Sequence, residues 1–335
     1  MELPPLSGNI FSKSHKTEQM CRWFCLFLTV FLSIILYQFW YPLRDTEFTY
    51  SIVAITVYNP LLLYLFRVIT TLGSEGFFLV FLSAIYWSYN KSLGFWGLIL
   101  MPLAIFVTSE IPKDIIRLPR PDVRGVTVPT YTFPSGHTSG AVSVWGYMAI
   151  MLKKRWLWIW SVVIVILVGL SRVTLGYHYP GDVIGGIVTG IIFLAFFLMI
   201  GINMIETRMH EKVTFSVLIL LALVVPIGLS LLPATYAPNL MGYLAGAGAG
   251  RLLEKENLNF NPDGQWYQHL ARSLIGMFVI ALIILELGAI LPPNVHMLTF
   301  TIHALSTFWA TYLAPLIFVK TGLAGVNSDS ILLDN

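Results

Sequence analysis

Three short polar clusters interrupt an otherwise apolar chain, and their residue types suit phosphate chemistry. The first reads Lys-Asp-Ile-Ile-Arg-Leu-Pro-Arg-Pro over residues 113–121. Lys113 and Arg120 are seven residues apart, two helical turns, so both can face one site. A guanidinium offers a planar fork to phosphate oxygens, and an ammonium a point charge. Pro119 and Pro121 predict the end of that helix. The second cluster reads Phe-Pro-Ser-Gly-His-Thr-Ser-Gly over residues 133–140. No charge follows it until Lys153, so it reads as a helix start with free backbone N–H groups and the positive end of the dipole. Such an end binds phosphate, Gly136 lets an anion approach the backbone, and His137 is placed to protonate a leaving group. The third cluster, residues 171–182, reads Ser-Arg-Val-Thr-Leu-Gly-Tyr-His-Tyr-Pro-Gly-Asp. Arg172 and Asp182 are the only formal charges between Arg155 and Glu206. Asp182 lies four residues after His178, so its carboxylate can fix one imidazole tautomer and leave the other nitrogen free as a nucleophile. Arg172 would neutralise the phosphate under attack. Each cluster alone has a plainer reading: headgroup snorkelling, a capping serine beside an incidental histidine, a structural His–Asp pair.

The elements that must position these clusters follow from composition. The 335-residue chain is 56% hydrophobic and 11% charged, with a mean hydropathy of +0.76. Soluble domains carry about 25% charge. A soluble enzyme, a disordered protein and a disulfide scaffold are therefore excluded. A net charge of +3 is too small to imply a nucleic-acid partner. The expectation is an all-α, polytopic transmembrane bundle of about ten spans, near residues 22–41, 76–90, 94–111, 138–152, 156–172, 182–203, 214–233, 240–253, 268–290 and 297–319. Residues 50–72, broken by Asn59-Pro60, read as an amphipathic helix at the interface, with a kinked span as the alternative. Gly242, Gly246 and Gly250 recur every fourth residue and predict a close helix–helix face. Cys21 and Cys25 read as small apolar helix residues. No cleavable signal peptide is evident ahead of the first run.

Lysines and arginines sit mostly on one side of this layout, which places the N-terminus in the cytoplasm. Residues 112–137 and 172–181 then share the outer face. The cations at 113, 117, 120 and 124 stand there against the positive-inside trend, which points to an anion as their partner. Arg117 reads as snorkelling, and Arg124 as a further phosphate contact that nothing requires. Together the clusters hold two histidines, one orienting carboxylate, three cations and a helix N-terminus. That set satisfies in-line phosphoryl transfer: charge neutralisation, a placed nucleophile and a proton for the leaving oxygen. No carboxylate pair for two metals lies on the same face, so a site without metal or cofactor is expected.

In these motifs the chain resembles the type 2 phosphatidic acid phosphatase superfamily, which also contains glucose-6-phosphatase and vanadium haloperoxidases. The family signature appears as Lys113…Arg120-Pro121, Pro134-Ser135-Gly136-His137 and Ser171-Arg172…His178…Asp182. The resemblance implies a six-helix-type phosphatase core. This gives a cytoplasmic segment at 1–21, a first span plus interfacial helix at 22–75, the core at 76–203, and accessory transmembrane helices at 204–335. It also implies that His178 attacks phosphorus to form a phosphohistidine, oriented by Asp182. His137 would protonate the leaving alcohol and then activate water. Lys113, Arg120, Arg172, Ser135 and the Gly136 amide would hold the phosphate oxygens.

The expected activity is hydrolysis of a phosphorylated membrane lipid: phosphatidate, a sphingoid-base phosphate or a polyprenyl diphosphate. The 113–121 stretch is similar to that of sphingosine-1-phosphate phosphatases. A sugar-phosphate phosphatase and a non-catalytic lipid-binding or transport protein are the alternatives. A bacterial inner membrane with a periplasmic site is the expected location, and an endoplasmic reticulum membrane with a lumenal site fits the same topology.

Overall fold

The computed structural model describes residues 42–123, 130–206, 237–290 and 296–327. The expected spans 22–41 and 214–233, the segment 1–21 and Arg124 lie outside them. A 3-10 turn at Pro42–Arg44 leads into α1 (Thr46–Val57) and α2 (Pro60–Thr71). Then come α3 (Glu75–Ser88), α4 (Lys91–Ile116), α5 (Gly136–Leu152), α6 (Arg155–Thr174) and α7 (Pro180–Glu206). The C-terminal part holds α8 (Pro238–Asn257), α9 (Trp266–Ile290) and α10 (His296–Lys320). Strands β1 (Phe260–Asn261) and β2 (Gly325–Val326) pair antiparallel.

The protein is a helical, multi-pass membrane bundle. Among the described residues, five helices are long and apolar enough to cross a bilayer: Lys91–Ile116, Arg155–Thr174, Pro180–Met199, Trp266–Leu285 and His296–Lys320. They occupy five of the ten expected spans. Three further expected spans are helices that miss that standard. Helix α3 has 14 residues and α5 has 17, while α8 is rich in glycine and alanine.

Segment 50–72 is not one helix. Helices α1 and α2 meet at 108°. Asn59 caps α2 by accepting from the Leu62 amide at 3.1 Å, and Pro60 takes the first turn, where a missing N–H costs nothing. This bent pair packs on α6 and is tied to it by the Thr56 hydroxyl, which donates to Thr174 O at 2.8 Å.

Both α4 and α10 contain a π-helical turn, at Phe106–Glu110 and Trp309–Leu313. A proline follows each, Pro112 and Pro315. The proline ring clashes with the carbonyl four residues back and supplies no N–H, so the preceding turn opens. In α4 that opened turn carries Glu110 to the site described below.

The core runs between α3, α4, α5 and the C-terminal helices. Trp87 and Tyr86, both fully buried, donate to Ala310 O (2.7 Å) and Thr311 O (3.2 Å) of α10. Arg272 of α9, also fully buried, donates to Trp87 O at 2.7 Å and caps the end of α3. The glycine face of α8 meets α10 as expected. A Cβ at Gly242, Gly246 or Gly250 would collide with Phe300 O, Ala304 O or the Thr311 hydroxyl. Residues 238–257 therefore pack backbone to backbone, a contact that side chains larger than hydrogen would prevent.

Candidate active site

The antiparallel course of α4 to α7 puts the end of α4, the start of α5, the end of α6 and the start of α7 at one end of the bundle. A cavity of about 160 Å³ opens there, lined by Lys113, Arg120, Gly136, His137, Arg172 and His178 with Gly73, Glu75, Ile105 and Glu110. Three cations and two imidazoles in that lining suit a phosphate group. The described residues thus bring six of the eight expected site residues to one wall.

Lys113 and Arg120 arrive by a different route from the expected one. Helical geometry ends at Ile116, and Arg117 turns left-handed at φ 53°. The residue before a proline avoids the helical region, so Leu118-Pro119 leaves the helix extended. Lys113 projects from the last turn and pairs with Glu110 at 2.7 Å. Arg120 sits on the following loop and donates to Tyr177 O (2.9 Å) and to the Thr130 hydroxyl (2.9 Å). One of its N–H groups also points at Nε2 of His178, 3.5 Å away. The Arg117 guanidinium stays exposed, bonded to Asp114 O at 2.8 Å, outside the cavity.

Arg172 is 8% exposed. Its guanidinium lies over the Tyr177 ring at 4.3 Å and donates from Nη1 to the Thr70 hydroxyl at 3.1 Å. Its Nε is buried without a hydrogen-bond partner among the described residues. A buried N–H left unpaired in a cavity wall is a place for an acceptor oxygen. The bond to Thr70 also joins the bent α1–α2 pair to the pocket.

Ser135 and Asp182 lie behind the cavity wall, both fully buried. Ser135 is the N-cap of α5, the plainer reading of that serine; its hydroxyl accepts from Thr138 (3.0 Å), and the residue does not line the cavity where a phosphate contact is expected of it. Its amide donates to Asp182 O at 3.0 Å, locking α5 to α7. Gly136 opens the helix in the wall. A Cβ there would come within 2.8 Å of the Ser109 hydroxyl on the π turn of α4, so only glycine allows this approach.

Asp182 does not bond His178 directly. Its Oδ2 is 3.7 Å from Nδ1. Oδ2 instead accepts from the Thr132 hydroxyl (2.5 Å) and the Tyr179 amide (2.9 Å), and Oδ1 accepts from Arg44 Nη1 (2.5 Å). Thr132 Oγ1 is 3.1 Å from His178 Nδ1. Sequence reasoning missed Arg44, Thr132, Glu75, Glu110 and Asn239, whose amide donates to Glu75 at 2.7 Å from the C-terminal half. Arg44 carried a signal: it follows the first expected span, on the face expected to be outer, where a cation is disfavoured. The others carried none, because only folding brings them near.

Burial lowers the His178 imidazole from the usual histidine range to about 3, against the opposing pull of Asp182. Protonation then requires the pH to fall through that value, so the ring is a neutral nucleophile at every physiological pH. Ring ¹⁵N shifts of labelled protein at about pH 5 should report a neutral His178. An imidazolium signal there would contradict this electrostatic reading.

The PAP2 superfamily profile matches residues 86–205. A second profile, described as a PAP2 superfamily phosphatase transmembrane extension, matches residues 238–326. Phosphatidylglycerophosphatase B of Bacillus subtilis (strain 168) is 34% identical over 176 residues, covering 48% of this chain and 84% of the relative. The chain belongs to the PAP2 superfamily, and is a membrane phosphatase of that class. Among individual relatives, mouse (Mus musculus) sphingosine-1-phosphate phosphatase 2 is 28% identical over 144 residues, 39% of this chain and 40% of that protein's length. The crystal structure of a transmembrane PAP2-type phosphatidylglycerolphosphate phosphatase from Bacillus subtilis aligns with 56% of this chain and 98% of its own, at 25% identity and a TM-score of 0.43.

Proposed function

We propose that this protein hydrolyses phosphate esters of membrane lipids through a phosphohistidine on His178. The observation that carries this reading is the convergence of Lys113, Arg120, Arg172, His137 and His178 on one small cavity at the ends of apolar helices. The three cations and the Gly136 end of α5 hold the phosphate oxygens and stabilise charge in the transition state. Nε2 of His178 attacks phosphorus, and the bond to the ester oxygen breaks. Burial and the neighbouring cations lower His137, and the negative charge of the bound phosphate offsets those cations; His137, protonated in that complex, delivers its proton to that oxygen, and the alcohol leaves. His137 then takes a proton from water, whose oxygen attacks the phosphohistidine, breaking the P–N bond and releasing phosphate.

A lipid is favoured over a sugar by the surroundings. The polar lining of the cavity receives the phosphate, and the apolar part of the substrate lies toward its mouth. The adjoining helix α2 exposes Leu61, Tyr64 and Val68, an apolar surface fit for acyl chains. The relatives add two candidates by name, a phosphatidylglycerophosphate and sphingosine-1-phosphate. Phosphatidate and polyprenyl diphosphates belong to the same chemical class. Residues 76–203 form the phosphatase core in this reading, with accessory helices over 204–335. The site faces the periplasm from a bacterial inner membrane.

Phosphate release from purified protein, measured over these lipids and glucose 6-phosphate with EDTA present, tests the proposal. Turnover of at least one lipid phosphate, unchanged by the chelator, is expected. Activity confined to the sugar phosphate would replace the lipid reading, and release from none would leave a binding protein. Strict dependence on added Mg²⁺ would refute the role given to the cations.

A further inference from the structure

The nucleophile and its carboxylate are joined through a third side chain, and that chain continues to a cation outside every signature motif. Thr132 is fully buried between His178 and Asp182. Its hydroxyl has one proton, and at 2.5 Å from Oδ2 that proton goes to the carboxylate. Toward Nδ1 of His178, 3.1 Å away, the same oxygen can only accept. Nδ1 therefore carries hydrogen, and Nε2 presents a lone pair to the cavity. The Arg120 N–H aimed at Nε2 agrees, since a guanidinium can only donate.

Asp182 is held in place in turn. Oδ1 accepts from Arg44 Nη1 at 2.5 Å, and the same guanidinium donates to Pro119 O at 3.1 Å and stacks on Tyr179 at 4.4 Å. Arg44 thus clamps the carboxylate between the exit of the first cluster and the turn carrying His178. It also supplies the positive charge that offsets a buried anion.

Resting on the proposed function, we infer that Thr132 and Arg44 are positioning residues for the reaction: Thr132 sets the tautomer of His178, and Arg44 holds Asp182 where it can orient Thr132. Neither lines the cavity. Their loss therefore acts on kcat with little effect on KM.

The test uses full-length protein in detergent. Thr132→Val removes the hydroxyl at nearly constant shape, and Thr132→Ser keeps it. We expect Thr132→Val to lower kcat about 10²-fold with KM within about threefold, and Thr132→Ser to recover most of the loss. Arg44→Gln should lower kcat about tenfold, with partial recovery in Arg44→Lys. A purely structural role would not move the second readout, the ¹⁵N ring shifts of His178. Wild type should show the Nδ1–H tautomer, and Thr132→Val a mixture. Overturning results are Thr132→Val retaining wild-type kcat, Thr132→Ser as impaired as Thr132→Val, or a tautomer unchanged in Thr132→Val. If wild type hydrolyses no lipid phosphate, the proposed function fails while the tautomer comparison still decides this inference.

Discussion

Replacing His178 with alanine is expected to lower phosphate release at least about 10⁴-fold, the loss typical when a covalent nucleophile is deleted. Among the described residues lining the cavity, the carboxylates Glu75 and Glu110 are held by Asn239 and Lys113. His178 is buried in the cavity wall, and its Nε2 lies 3.5 Å from the Arg120 guanidinium, which places nucleophile and cation side by side for one phosphate. Lys113 also lines the cavity, but its ammonium is bound to Glu110 and has no lone pair to offer. His137 is the remaining imidazole, and the reaction needs it as the acid. Rapid mixing with ³²P-labelled substrate, quenched in base, should trap a base-stable, acid-labile phosphoenzyme in wild type and none in His178→Ala. Phosphate release by the variant within tenfold of wild type would place the nucleophile elsewhere.

Arg172→Lys is expected to reduce kcat/KM about 10²-fold, and Arg172→Met about 10³-fold, in line with losing a group that stabilises developing charge. The lysine retains the charge but loses the geometry. A guanidinium can stack on Tyr177, bond Thr70 and still aim an N–H inward; an ammonium on a flexible stem cannot do all three. The same substitution carries a stability consequence of opposite sign. An unsatisfied buried polar group costs about 1–3 kcal/mol, and the Nε of Arg172 has no hydrogen-bond partner among the described residues. Arg172→Met should therefore keep or raise the thermal midpoint while losing activity. A lowered midpoint with activity lost in proportion to unfolding would mean that Arg172 serves the fold alone.

The membrane class was legible because it depends on composition summed over many residues. So was the glycine face of α8, since a four-residue repeat is local to one helix. Five expected spans became long apolar helices for the same reason. The helix joining Lys113 to Arg120 failed where two local preferences competed. Two-turn spacing favoured a continuous helix, and the residue before Pro119 refused it. The interruption of segment 50–72 at Asn59-Pro60 was legible, while the 108° turn of the new helix that starts there depends on packing against α6.

The sequence by itself determined the chemistry available: which histidines, which cations and which carboxylate stand at the ends of apolar runs. Spacing within a motif is a local property, so the helix start at Ser135 and the placing of Asp182 within one turn of chain of His178 could be read directly, though not the Thr132 hydroxyl that stands between those two side chains. Tertiary structure alone decided who touches whom. It put Thr132 between His178 and Asp182, brought Arg44 across 138 residues of chain to the same carboxylate, and carried Asn239 from the C-terminal half to Glu75 in the cavity wall. Hydrogen bonds act over about 3 Å. Such contacts are set by how helices pack, and no spacing along the chain encodes them.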